Sequence, residues 1–175
     1  MEDSNNQLNL LSPLLTKNDC ASCKFCCSFR RQSLWETPVF DSDTMKNLHQ
    51  LYPTAKFRPT GKTGSSWTID LSGDYKTNDP KEEAKCPFLN SQNGCSLSAS
   101  LKPFDCKIWP LRAVRYPQTN TLEVALTSTC PAINKIPLQK ISELVKSGLG
   151  RKILSYARQH PDIEKEYRAD LFLSL

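Results

Sequence analysis

The sequence predicts a small α+β fold: an irregular, cysteine-rich metal-binding domain with short strands and C-terminal helices. Three observations carry that expectation. Eight cysteines fall in a chain of 175 residues, four of them crowded into Cys20–Cys27. The apolar fraction is 38%, and Pro 12 against Gly 6 points to much irregular backbone. Strand-type alternation occurs only in short stretches, whereas helical apolar spacing dominates the C-terminal part. The length suits one main domain. It divides into a leader or docking arm over residues 1–16, a cysteine-cluster domain over 17–133, and a helical segment over 134–175 packed on it.

Each element has its own signal. "SLWETPVF" after the cysteine cluster reads as a short extended segment ending near Pro38. "DSDTMKNLHQLYP" offers Asp41 or Ser42 as an N-cap, places Met45, Leu48, Leu51 and Tyr52 at helical spacing, and is stopped by Pro53. "SSWTIDL" is a strand with Trp67 and Ile69 on one face. Residues 72–85 form a charged loop, and "TLEVALTS" is a second strand introduced by the turn signal "YPQTN". In the C-terminal segment Leu138, Ile141, Leu144 and Val145 share a helical face, as do Ile153, Leu154 and Tyr156. Gly148 and Gly150 mark a break between the two runs, and Pro161 fits the first turn of a last helix.

Composition excludes some function classes. No run approaches eighteen apolar residues, so no membrane span is expected. The acidic N-terminus lacks the features of a signal peptide, and the expected location is cytoplasmic. A net charge of +5 is too weak to argue for a nucleic-acid partner. In a reducing compartment cysteines stay free and bind metal or do chemistry rather than form disulfides.

The opening stretch "DCASCKFCCSFRRQ" contains Cys20, Cys23, Cys26 and Cys27; the remote cysteines are Cys86, Cys95, Cys106 and Cys130. Cys86 and Cys130 are each followed by proline, as cluster cysteines of bacterial ferredoxins can be. Four plus four is the arithmetic of two sites, because both tetrahedral zinc and a cubane cluster need four thiolates. The C-x2-C-x2-C run of Cys20, Cys23 and Cys26 resembles part of a [4Fe–4S] site. Zinc sites more often pair two separate C-x2-C units or use histidines. Iron–sulfur is therefore preferred and zinc is the alternative cofactor. Adjacent side chains are expected to diverge, sending Cys26 and Cys27 to different centres. Cys20, Cys23, Cys26 and Cys130 form one set and Cys27, Cys86, Cys95 and Cys106 the other, with Cys86 and Cys130 exchangeable.

Together these pieces resemble the CxxCxxCC cysteine-cluster proteins of the YkgJ type, described as zinc- or iron-chelating domains. The resemblance rests on Cys20, Cys23, Cys26 and Cys27, on "CPFL" with Cys86, "GCSL" with Cys95, "KPFDCKIWPL" with Cys106, and on Cys130, and it spans roughly residues 20–131. Lys102 stands where the family usually has arginine. The flagellin lysine N-methylase is a relative in that family, so the resemblance implies protein methylation as a function for some members.

Other motifs carry less. "TGKTGS" lacks the first glycine of a P-loop, having Lys56 in its place. "DLSGDYKTNDPK" has Tyr75 and Lys81 where a calcium loop needs glycine and glutamate. His49 and His160 read as surface or capping residues. Asp105 is a candidate acid, though a capping carboxylate is the simpler reading. Lys24, Arg30, Arg31, Lys102, Lys107 and Arg112 flank cysteines and form a candidate charge-compensating set for an anionic cluster. Phe25, Phe88, Phe104 and Trp109 are candidates to shield it from water, or simply core. The expected function is cluster binding with a redox or cluster-dependent modifying role, acting on an unidentified protein or small-molecule partner. The alternatives are a structural zinc module for protein or nucleic-acid interaction, and a thiol redox sensor. The cysteines come with no recognisable base or nucleophile, so no catalytic residue or substrate is assigned.

Overall fold

The computed structural model describes residues 10–175, and its architecture is mixed α and β. Leu10, Leu11 and Leu15 are buried at the start of the described chain, and the Leu10 amide donates to the Lys107 carbonyl at 2.8 Å. Helix α1 (Lys17–Cys23) follows, then a 3-10 turn over Phe25–Cys27 and strand β1 (Ser28–Phe29). After a second 3-10 stretch (Arg31–Glu36) come β2 (Val39–Phe40) and α2 (Ser42–Leu51). Asp41 caps α2 by accepting from the amides of Asp43 and Thr44 at 3.0 and 2.8 Å. Strands β3 (Phe57–Thr60) and β4 (Ser66–Ile69) form a hairpin, and β5 (Ala84–Lys85), β6 (Leu89–Asn90) and β7 (Gly94–Cys95) are two-residue strands. Helix α3 (Phe104–Ile108) leads into the central hairpin of β8 (Leu111–Arg115) and β9 (Leu122–Thr127). Helices α4 (Leu138–Leu144) and α5 (Gly150–Gln159) precede β10 (Lys165–Glu166) and β11 (Phe172–Ser174).

The largest sheet has four strands in the order β10-β8-β9-β11, and a three-stranded sheet runs β2-β4-β3. Two ribbons, β1-β5 and β6-β7, complete the β structure. Apolar burial divides between two main clusters. One gathers Leu10, Leu11, Leu111, Leu126, Ile133, Ile141 and Ile153 around the central hairpin and the C-terminal helices, and includes Cys130. The other packs Phe29, Phe40, Leu48, Ile69 and Phe88, with Cys86 and Cys95 against it. Among the described residues no helix is long and apolar enough to cross a membrane.

The structure departs from the sequence expectations in three places. "SLWE" is part of the 3-10 stretch rather than extended, because Ser33 and Thr37 bond locally. The Ser33 hydroxyl accepts from the Arg30 amide at 2.9 Å, and the Thr37 hydroxyl donates to the Leu34 carbonyl at 2.7 Å. The extended part shrinks to β2. The segment from residue 134 is helical only as far as Gln159, and Pro161 opens a single 3-10 turn rather than a helix. The chain then returns as β10 and β11 on the two edges of the central sheet. The expected break between α4 and α5 is a wide helical turn over Val145–Leu149, where Gly148 takes φ 137°, a conformation favouring glycine.

Candidate functional site

The cysteine cluster folds by a sequence of local devices. Thr16 and Asp19 form a reciprocal cap on α1: the Thr16 amide donates to Asp19 Oδ2 at 2.8 Å, and the Asp19 amide donates to Thr16 Oγ1 at 3.2 Å. This first helical turn sets Cys20 and Cys23 one turn apart on the same side. Lys24 then takes a left-handed conformation at φ 53°, its amide donating to the Cys20 carbonyl at 3.0 Å. The reversal starts the 3-10 turn that carries Cys26 and Cys27.

The remote cysteines are brought to this turn by strand pairing. β1 pairs with β5, and one residue beyond it the Cys86 amide donates to the Cys27 carbonyl at 2.8 Å. The β6–β7 hairpin sets Cys95 opposite Leu89. Gly94, at φ 78°, lets that hairpin lie on α1, since a Cβ there would stand 3.1 Å from the Ala21 Cα. Cys106 comes from α3 and Cys130 from the turn after β9. Cys20, Cys23 and Cys106 thus sit on helices.

None of the eight cysteines is in a disulfide; Cys130 is buried and the others are half-buried. Cys20, Cys26, Cys27, Cys86, Cys95 and Cys106 line one cavity of about 300 Å³. Cys23 and Cys130 lie outside that lining, but Cys130 interacts electrostatically with Cys23 and Cys26, and Cys20 with Cys23, Cys26 and Cys130. Cys27 interacts with Cys86 and Cys106, and Cys95 with both Cys86 and Cys106. Cys26 lies in electrostatic reach of members of both expected sets, Cys20 and Cys130 of one and Cys86 and Cys106 of the other. In this tight turn the Cys26 and Cys27 thiols act on each other.

The interaction with Cys27 lowers the Cys26 thiol against the opposing cost of burial, with help from Lys102 and Arg112. The same interaction and burial push Cys27 well up. Burial raises Cys20 to about 11 and Cys86 to about 12, and also lifts Cys106 and Cys130. Thiols held protonated in this way release protons when a cation takes their sulfurs.

The six flanking cations separate into different roles. Lys102 lines the thiol cavity, and Arg112 is buried close to Cys26 and Cys106. Arg112 donates to Glu36 Oε2 at 3.1 Å and to the Asp105 carbonyl at 2.8 Å, and its guanidinium lies 4.5 Å from the centre of the Trp109 ring. Arg31 instead clamps the charged loop through the Thr77 carbonyl and Glu82, and Arg30 pairs with Glu83 at 3.5 Å. Lys24 donates to the Ser91 carbonyl on the β6–β7 hairpin. Lys107 is buried beside Lys102, and that burial lowers its pKa.

Of the four aromatic candidates, Phe88 and Trp109 line the thiol cavity. Phe25 lines a neighbouring cavity, and Phe104 stacks on Tyr156 at 3.9 Å. Asp105 is 1% exposed: one carboxylate oxygen accepts from the Val39 amide at 3.2 Å, and the other has no hydrogen-bond partner. It sits among Arg112, Lys165 and Glu36, a buried polar group next to Cys106. Sequence reasoning named Asp105 and Arg112 but missed Glu36, Lys165 and Gly94, which carry no local signal. His49 packs by its ring against Phe57 and His160 against Tyr156, both outside the thiol cavity.

Among the described residues, no group of three or more His, Cys, Asp or Glu side chains is arranged to hold a metal ion. No family model, no curated protein and no solved structure matches the chain.

Proposed function

We propose that the chain is an iron–sulfur protein of the YkgJ-like cysteine-cluster kind, with two four-thiolate centres and a redox or cluster-dependent modifying role in the cytoplasm. One observation carries the reading. Six cysteines from five separate chain segments surround a single cavity at the meeting of two apolar cores, and the remaining two are in electrostatic reach of its edge. A cavity suits a polynuclear cluster, which fills space between thiolates, better than a lone zinc ion with four sulfurs at about 2.3 Å. The donor set is all sulfur, the chemistry that iron–sulfur clusters take. When bound, such a cluster supplies one-electron chemistry. The protein's own contribution is to hold the thiolates, exclude water with Phe88 and Trp109, and place Lys102 and Arg112 beside the negative charge.

A structural zinc site is the second reading, favoured by the donor set: the cavity is lined by thiols alone as metal-ligating side chains, and four thiolates also suit tetrahedral zinc. Anaerobic purification followed by iron, acid-labile sulfide and zinc analysis tests both. Iron and sulfide in equal amounts, with broad visible absorbance, are expected. A colourless protein with stoichiometric zinc would replace the iron–sulfur reading by the structural one.

A further inference from the structure

Apart from the cysteines, Lys102 is the one ionisable side chain among the described residues lining the thiol cavity. Its ammonium interacts with Cys20 and Cys26 of one thiol set and with Cys106 of the other. The backbone beneath it is fixed: the Lys102 amide donates to the Ser98 carbonyl at 2.9 Å, and Pro103 follows as the cap of α3. Lys102 also lines an outer groove with Lys107, whose charge it repels. Arg112, the other cation near the thiols, is bound to Glu36 and so has its charge largely offset.

We propose that Lys102 is the residue that sets the reduction potential of the metal centre, acting as a fixed positive charge shared between the two thiol sets. The inference rests on the iron–sulfur reading above. One-electron reduction by an external donor adds one negative charge to a centre that already carries net negative charge from its thiolates. A neighbouring ammonium attracts the reduced form more than the oxidised one, and in a partly enclosed cavity that difference is screened less than in bulk water. The ammonium itself gains and loses nothing in the step. Lys102 is a positioning residue for charge rather than a ligand.

The test is an equilibrium redox titration of anaerobically prepared protein, followed by visible absorbance and electron paramagnetic resonance, on the wild type, Lys102→Met and Lys102→Arg. Lys102→Met is expected to titrate at more negative potential. At a fixed potential its reduced-to-oxidised ratio should fall about tenfold, equivalent to about 59 mV for one electron. Lys102→Arg keeps the charge and is expected to stay near the wild type. Equal potentials in wild type and Lys102→Met, or equal shifts in Met and Arg variants, would overturn the role. If Lys102→Met loses iron while Lys102→Arg retains it, the charge requirement stands; loss in both variants rejects it, since shape alone would then explain the effect. Wild-type protein without iron and sulfide would defeat the iron–sulfur reading itself, an outcome distinct from a loaded protein whose potential ignores Lys102.

Discussion

Arg112 and Glu36 meet at 3.1 Å across 76 residues of sequence, with 4% and 11% of their side chains exposed. The pair ties the central hairpin to the 3-10 stretch after β1, and therefore joins the two apolar cores behind the thiols. Burial alone would disfavour a charged guanidinium, but Glu36, Asp105 and Cys106 outweigh that cost and keep Arg112 charged. Such a pair contributes little over a well-packed apolar substitute, yet removal of one partner strands the other charge.

Glu36→Gln is accordingly expected to destabilise the fold by about 3 kcal/mol, the lower end for breaking a buried pair. The double variant Glu36→Gln with Arg112→Met should recover a large part of that loss. Urea unfolding of both variants measures it. A Glu36→Gln protein within about 0.5 kcal/mol of wild type, the range of ordinary surface changes, would show that Arg112 finds solvent or another partner.

A second expectation concerns Gly94, which combines a positive φ with a close approach to the α1 backbone. Gly94→Ala strains the turn and pushes the Cys95 hairpin away from α1, at a cost of more than about 1 kcal/mol. Because Cys95 moves with the turn, metal loading should fall further than stability does. Gly64→Ala is the comparison: it has a similar φ of 66° but nothing within 4 Å of the added Cβ. If both variants lose metal equally, the contact between the hairpin and α1 does not position Cys95.

How far the sequence predicted this arrangement follows from the range over which its signals act. The cap at Asp41, the stop at Pro53 and the strands around Trp67 and Val124 rest on neighbouring residues, and each is observed. Within "SLWETPVF", expected to be extended, residues 33–36 belong to the 3-10 stretch: Leu34 and Trp35 look like strand residues, while the deciding bonds come from Ser33 and Thr37. Strand β8 carries a weak signal because Arg112 interrupts its apolar run, and the buried Arg112 is partnered by Glu36 far upstream. Strands β10 and β11 are similarly created by edges of a sheet that forms elsewhere. The cysteines were identifiable as a group, but the interaction between Cys26 and Cys27 depends on a 3-10 turn that spacing alone does not specify.

The charged loop offers a pH test independent of the thiols. Glu82 accepts from the amides of Lys76 and Thr77 at 2.6 and 2.9 Å, and these bonds hold its carboxyl at about 2, below the ordinary 4.5. A depressed folded-state value means that the stabilisation is fully present above the unfolded value and is lost as pH falls through the folded one. The loop should therefore loosen between about pH 4.5 and 2, the window set by those two values. Glu82→Gln should remove that acid step from hydrogen exchange measured at Lys76 and Thr77. An unchanged acid profile in Glu82→Gln would place the effect on another carboxylate.

The division of the eight cysteines leads to the sharpest expectation. Cys130 interacts with Cys23 and Cys26, whereas Cys86 interacts with Cys95 and Cys26, and Cys27 with Cys86 and Cys106. Cys86 and Cys130 thus share Cys26 but otherwise have different neighbours, although each precedes a proline and sequence alone left them exchangeable. Cys130 belongs to the apolar core around the central hairpin, and Cys86 packs against the other core. Under the iron–sulfur reading, Cys130→Ser and Cys86→Ser should each lower iron per chain by about half, since each centre needs its own four thiolates. Their losses should add, leaving the double variant without iron. Metal binding energy is also folding energy where ligands join separate segments, so Cys86→Ser should increase exchange in β1–β7 more than in β8–β9. If either single variant loses all iron while remaining folded, the sulfurs serve one shared centre and the two-centre division is wrong.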